Sequence, residues 1–160
     1  MIVPVDQHNV LQAATVHSVS WIASHRSFCA PDFVSVHTPE RQQQYVLDKM
    51  RQGSRFYLLV DDLPVGVVSV NGCLIEDLYV LPEKQRQGYG TKLLQWAIEQ
   101  CAGVPTLWIL ENNRNAMRFY EKHGFRLTGR INAITDGLSE LELALAFDSP
   151  YVCCCLTSII

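Results

Sequence analysis

The residues best placed to do chemistry sit in one short segment, Gln85-Arg86-Gln87-Gly88-Tyr89-Gly90-Thr91. It lies between an apolar run ending at Val80-Leu81 and an amphipathic run that begins near Gly90. Glycine lets a backbone turn tightly and approach a ligand closely. A helix that starts there offers unpaired N–H groups and the positive end of its dipole. Lys84, Arg86 and Lys92 add positive charge. Together these features suit a pyrophosphate. Two common nucleotide patterns do not fit. The P-loop spacing G-x-x-x-x-G-K-[ST] is not present at this turn, and Leu93 occupies the last glycine position of the dinucleotide pattern G-x-G-x-x-G.

Such a turn needs a strand before it and a helix after it. Residues 73–81 read as that strand, and Leu93, Leu94, Ala97, Ile98 and Cys101 mark the buried stripe of a helix over residues 90–101. Upstream, residues 55–61 and 65–71 are two more strands, joined through Asp61-Asp62-Leu63-Pro64, and Asn71-Gly72 signals a hairpin into the third. An antiparallel meander is expected. Nearer the start, residues 7–26 read as a helix. Residues 27–39 read as a loop, and Thr38-Pro39 caps a second helix that stops at Gly53. Downstream come a strand at 106–111, a helix at 113–123 closed by Gly124, and strands at 125–134 and 138–147 around Asp136-Gly137. With a short first strand at residues 2–5, the sequence predicts one mixed α/β domain on a central sheet of six to seven strands flanked by about four helices.

Composition narrows the function. The chain has 160 residues, enough for one domain, with 48% hydrophobic and 18% charged residues. Thirteen Lys plus Arg against sixteen Asp plus Glu leave a net charge of −3, which disfavours nucleic acid and anionic lipid as partners. No apolar run approaches the ~18 to 20 residues of a membrane-spanning helix. The first residues lack the basic start and apolar stretch of an export signal, so a cytoplasmic protein with free thiols is expected. The six cysteines, at 29, 73, 101, 153, 154 and 155, show no C-x-x-C spacing, and no metal set is predicted. Cys29, Cys73 and Cys101 read as small core residues.

Beyond these features, Gln85-x-x-Gly88-x-Gly90 resembles the acyl-CoA pyrophosphate loop, Q/R-x-x-G-x-G/A, of the GNAT superfamily of N-acetyltransferases. Downstream, Asn113, Ala116, Phe119, Tyr120, Gly124 and Phe125 match that family's second signature, N-x-x-A-x-x-F/L-Y-x-x-x-G-F. Upstream, Leu78-Tyr79-Val80-Leu81-Pro82-Glu83 resembles its L-Y-V-x-P-E run. Similarity is clear over residues 56–130, and the order of elements agrees over roughly 1–147. Residues 148–160 form a separate Cys-rich tail whose last ten residues carry no charge; an extra strand, a homodimer contact and a poorly ordered end are the alternatives for it.

The resemblance implies transfer of an acetyl group from acetyl-CoA, as cosubstrate, to a primary amine within a ternary complex. Gln85, Arg86, Gln87, Gly88, Tyr89, Gly90 and Thr91 would hold the pyrophosphate. Leu78, Tyr79 and Val80 would bind the pantetheine through their backbone, with Asn113 beside it. Tyr120 would serve as general acid toward the departing sulfur. Strand alternation puts Glu76 on the same face as Leu78, making it the leading base, while Asp77 faces away and Glu111 competes weakly. For the acceptor, Trp21, His25 and His37 are the candidate contacts, and His17 reads as packing. A small-molecule amine is the favoured acceptor. A protein or peptide amine and a non-catalytic acyl-CoA-binding domain are the alternatives, although the intact pair Asn113 and Tyr120 argues for an enzyme.

Overall fold

The computed structural model describes residues 1–135 and 137–146. In chain order the elements are β1 (Ile2–Pro4), α1 (Val10–His25), α2 (Pro31–Ser35), α3 (Pro39–Arg51), β2 (Arg55–Asp61), β3 (Leu63–Asn71), β4 (Leu74–Val80), a 3-10 turn (Pro82–Lys84), α4 (Tyr89–Gln100), β5 (Thr106–Leu110), α5 (Arg114–Lys122), β6 (Phe125–Thr135) and β7 (Leu138–Leu145). The strands form one sheet in the order β1-β2-β3-β4-β5-β7-β6. Every neighbouring pair is antiparallel except β4 with β5.

Both faces of the central strands are covered, so these strands read as near-continuous apolar runs. Tyr57, Leu59, Val68, Val70 and Ile75 pack against Leu93, Leu94, Ala97 and Ile98 of α4. Phe56, Leu58 and Val67 face the other way, onto Val10, Ala13 and Val16 of α1 and Val46 of α3. Helix α4 lies close on β3 because position 66 is glycine. A Cβ there would stand 2.7 Å from Leu93 Cδ1 and 3.0 Å from the Tyr79 carbonyl oxygen. This close packing brings the start of α4 to the end of β4.

Several local expectations change. The loop at residues 27–39 contains the one-turn helix α2, started by Pro31 after an extended Ala30. Strand β3 starts at Leu63 because the β2–β3 reversal is confined to Asp62, in the left-handed region at φ 59°. Cys73 is exposed, in the turn after Gly72, and Cys29 and Cys101 are half-buried; none of the three is fully buried core. Strand β7 ends at Leu145, short of the expected Phe147, with Ala146 outside it; Phe147, Asp136 of the final turn and the tail at 148–160 lie outside the described residues. No helix among the described residues is long and apolar enough to cross a membrane.

Candidate active site

The parallel pairing of β4 with β5 is short. It joins Leu74 to Thr106 and Ile75 to Leu107 and goes no further. On its other edge β5 stays paired with β7 along Thr106–Leu110. Among the described residues, Leu78, Tyr79 and Val80 therefore turn one backbone edge to no strand. The divergence coincides with a β-bulge: Ser69 pairs with Asp77 and Val70 with Ile75, leaving Glu76 as the extra residue of β4. Bulges bend a strand and end pairing. The result is a notch beside β4 that an extended chain can enter.

The turn at residues 85–91 lies between the end of β4 and the start of α4, next to that notch. Gly88 is the N-cap of α4 with φ 87°, and Arg86 also lies in the left-handed region at φ 63°. Gly88 has no side chain to cap the first-turn N–H groups, which keeps them directed outward for an anion. The Gln85 amide donates to the Val80 carbonyl (3.2 Å), and the Gln87 amide donates to the Glu83 carbonyl (3.1 Å). These two glutamines fasten the loop to itself and to β4. The Tyr89 hydroxyl donates to Asp61, and Thr91 Oγ1 lies 3.1 Å from His123 Nε2. Arg86 and Lys92 are exposed beside the turn.

Helix α5 packs beside the turn, with the Phe119 ring 3.5 Å from where a Cβ at Gly90 would stand. Asn113 is its N-cap, and its side chain accepts from the Ala116 N–H (3.1 Å). The phenol of Tyr120 is buried, edge-on to Phe119 and Phe125. Among the described residues its hydroxyl makes no hydrogen bond. Burial, and then the negative charge of Asp77, push its pKa above the ordinary tyrosine value. The hydroxyl thus stays protonated at any working pH and is available to donate.

This arrangement has known counterparts. The sequence pattern of the acetyltransferase (GNAT) domain matches residues 52–127. A peptidyl-lysine N-acetyltransferase of Salmonella typhimurium, YjaB, is 31% identical over 100 residues, covering 62% of this chain and 68% of that one. The chain belongs to the GNAT family. It is an acetyl-CoA-dependent acetyltransferase. The apo form of YjaB from Escherichia coli superposes with a TM-score of 0.67 at 23% identity, over 91% of this chain and 97% of that one. PaiA N-acetyltransferase from Thermoplasma acidophilum, solved with coenzyme A, gives 0.66 at 17% identity, over 89% and 96%. At those identities the two structures show a shared fold.

The GNAT chain's own geometry suits acetyl-CoA. The open edge of Leu78–Val80 offers backbone groups to a pantetheine amide, and the glycine turn with the start of α4 offers N–H groups to a pyrophosphate. At Gly88 a built Cβ meets nothing within 4 Å, so the turn opens outward on the side where a ligand would lie.

The carboxylates differ from the alternation expected of β4. Because Glu76 is the bulged residue, Glu76 and Asp77 both point to the α1/α3 face, opposite Leu78. Glu76 is held by Lys49 Nζ (2.6 Å) and Ser54 Oγ (2.5 Å). Its carboxylate thus ties α3 to the sheet rather than standing free. Asp77 is the carboxylate beside the notch. It accepts from Ser69 Oγ (2.7 Å) and Tyr45 Oη (3.2 Å) and lies 2.9 Å from His17 Nε2. Burial raises its pKa, but His17, Ser69 and Tyr45 outweigh burial and hold it below the ordinary carboxylate value. Strand alternation alone turns Asp77 away from Leu78; His17 is buried, as a packing residue would be, and also meets Asp77. A bulge leaves no mark in residue types, and only two consecutive acids within an apolar strand hinted at one.

Trp21, His25 and His37 do come together. Trp21 is sandwiched between His25 (centroids 4.1 Å apart) and His37 (3.5 Å), both within 7° of parallel. Its two faces are therefore filled by protein. His25 is buried, and its Nδ1–H donates to the Trp21 carbonyl (2.8 Å). His37, half-buried, bonds the Phe33 carbonyl in the same way (3.0 Å). Among the described residues, no cluster of His, Cys, Asp and Glu is arranged to hold a metal ion.

Proposed function

We propose that this enzyme acetylates the ε-amine of lysine in a protein or peptide. The observation that carries the reading is the 31% identity to a peptidyl-lysine N-acetyltransferase across 68% of that protein. It replaces the small-molecule amine expected from sequence, which rested on no residue of the acceptor side.

The residues divide the work. Acetyl-CoA supplies the activated acetyl group as a thioester. The turn at residues 85–91 holds its pyrophosphate, and the open edge of Leu78–Val80 aligns the pantetheine. A backbone N–H of that edge polarises the thioester carbonyl, an oxyanion-type role. The Tyr120 hydroxyl donates to the departing sulfur. Asn113 spends its side-chain oxygen on the α5 cap and keeps its amide N–H groups for the pantetheine.

The test compares acceptors at equal amine concentration. Single-lysine peptides and a folded lysine-bearing protein are set against free amino acids, polyamines and aminoglycosides. Released CoA thiol gives the rate, and mass spectrometry finds the acetylated atom. Peptide lysine is expected to be the best acceptor by at least about tenfold, a pocket difference of ~1.4 kcal/mol. Fast turnover of a small amine with no peptide acetylation overturns the reading.

A further inference from the structure

Acetyl transfer needs a neutral amine, and near neutral pH an alkyl amine carries a proton. Some group must take it. Glu76 is committed to Lys49 and Ser54. The site nonetheless holds a histidine–carboxylate pair. His17 Nε2 lies 2.9 Å from Asp77 Oδ1, with both side chains almost fully buried (4% and 7% exposed).

Three observations single out this pair. First, Asp77 is ionised and already accepts from Ser69 and Tyr45, so His17 is the donor across the 2.9 Å contact. In the neutral ring, donation from Nε2–H leaves the Nδ1 lone pair free. Second, His17 Nδ1 and Ser20 Oγ, one helical turn apart on α1, are both buried and lack hydrogen-bond partners among the described residues. Buried polar atoms without partners are costly, so they call for a role. Third, the His17 ring packs edge-on against Tyr79 (4.8 Å), a residue of the open edge of β4.

The other histidines nearby differ. His25 and His37 each spend Nδ1 on a carbonyl of their own helix region. Among the described residues neither bonds a carboxylate.

We propose that His17 is the base that removes the proton from the acceptor ammonium, through a water relay past Ser20 Oγ because its Nδ1 is buried, and that Asp77 is its positioning residue. This rests on the acetyl transfer and not on the choice of lysine as acceptor. The proton balance closes. One proton passes from R–NH3⁺ to His17 Nδ1, giving R–NH2 and an imidazolium paired with Asp77. The nitrogen forms its bond to the acetyl carbon and the C–S bond breaks. The second nitrogen proton reaches the leaving sulfur by way of the Tyr120 hydroxyl. His17 then returns its proton to solvent. The groups that face His17 are Asp77 and Tyr79 from β4, Tyr45 from α3, His25 on its own helix and His37 before α3.

Two measurements test the proposal, one of them independent of turnover. Long-range ¹⁵N–¹H spectra of histidine-labelled protein at pH 7.5 should show His17 as the Nε2–H tautomer with Nδ1 unprotonated, and Asp77→Asn should weaken that preference. A His17 found with its proton on Nδ1 overturns the proposal even if no acceptor has been identified. In kinetics with a single-lysine peptide, His17→Gln should lower kcat about 100-fold and abolish the rising limb of kcat/KM against pH, with the acetyl-CoA KM within twofold. Asp77→Asn should move that limb to lower pH by making His17 less basic; it serves if His17→Gln does not fold. A limb unmoved in the folded variants overturns the proposal, because a purely structural role lowers the rate at all pH values alike. Failure of every peptide, with a small amine turned over instead, removes only the lysine reading, and the same pH comparison is then made with that amine.

Discussion

At the scale of single residues, the site separates groups that act through side chains from those that act through backbone. Tyr120 belongs to the first kind. Its hydroxyl makes no hydrogen bond among the described residues, and Phe119 and Phe125 hold its ring. Tyr120→Phe should therefore keep the fold and the acetyl-CoA affinity while kcat falls about 100-fold, the usual worth of a general acid. Stopped assays beside calorimetry with CoA would read both, and unchanged kcat would remove Tyr120 from the chemistry. Gly88 belongs to the second kind. A side chain there meets no neighbour but strains a φ of 87°. Gly88→Ala should cost about 1 to 2 kcal/mol of stability. Gly88→Glu adds like-charge repulsion against the pyrophosphate and should weaken CoA binding at least about tenfold beyond the alanine variant. Equal binding by the two would mean that the phosphates lie elsewhere. The backbone-acting residues were legible in the sequence because a glycine turn between a strand and a helix constrains residue types at fixed spacing. Asp77 and His17 were not legible, because they lie 60 residues apart and meet only through packing of α1 on β4.

At the scale of elements, function depends on where β4 stops pairing. Two pairs join it to β5, a bulge follows, and among the described residues the rest of that edge pairs with no strand. Periodicity located β4 and α4, since apolar spacing decides which residues face a core. It could not place the bulge, which moved Glu76 across the sheet, nor find α2, one turn too short to show a period. The seating of α4 is the other determinant. Leu93 and the Tyr79 carbonyl leave no room for a Cβ at position 66, where it would stand 2.7 and 3.0 Å from them. Gly66→Ala should destabilise by about 1 to 3 kcal/mol through overpacking. It should also weaken CoA binding, since α4 and the Tyr79 segment must separate to admit the methyl group. Denaturant titration and CoA calorimetry on the same sample check both. Lost stability with intact binding would show that α4 can shift without disturbing the turn.

For the whole molecule, the two faces of the sheet carry different liabilities. The α4 face has an apolar core, whereas the α1/α3 face buries His17, His25 and Asp77, with Tyr45 half-buried, among its apolar residues. That makes stability depend on pH in two separate windows. Burial is the main cause that lowers His25 to about 4 from an ordinary 6.5; the Trp21 carbonyl acts against it, and the charges of His37 and His17 add to it. His37 is lowered in the same direction, chiefly by burial. Between pH 4 and 6.5 the unfolded chain binds protons that the folded chain refuses, so stability rises with pH across that window. The contribution is complete above about 6.5 and is lost as pH falls toward 4. For His25 alone the loss between pH 7.5 and 5 is on the order of 2 kcal/mol. Asp77 acts lower and with the usual carboxylate sign. Its folded pKa lies below 3.8, so its contribution is present above that value and disappears only in stronger acid. Urea unfolding at pH 7.5, 6, 5 and 4.5 should thus show a fall in stability well before the carboxylates titrate. His25→Phe keeps a ring to stack on Trp21 but has no proton to gain, and its fall should be smaller by about 2 kcal/mol. Parallel curves for the variant and the parent would mean that His25 is hydrated in solution and that the Trp21 stack opens on the timescale of titration.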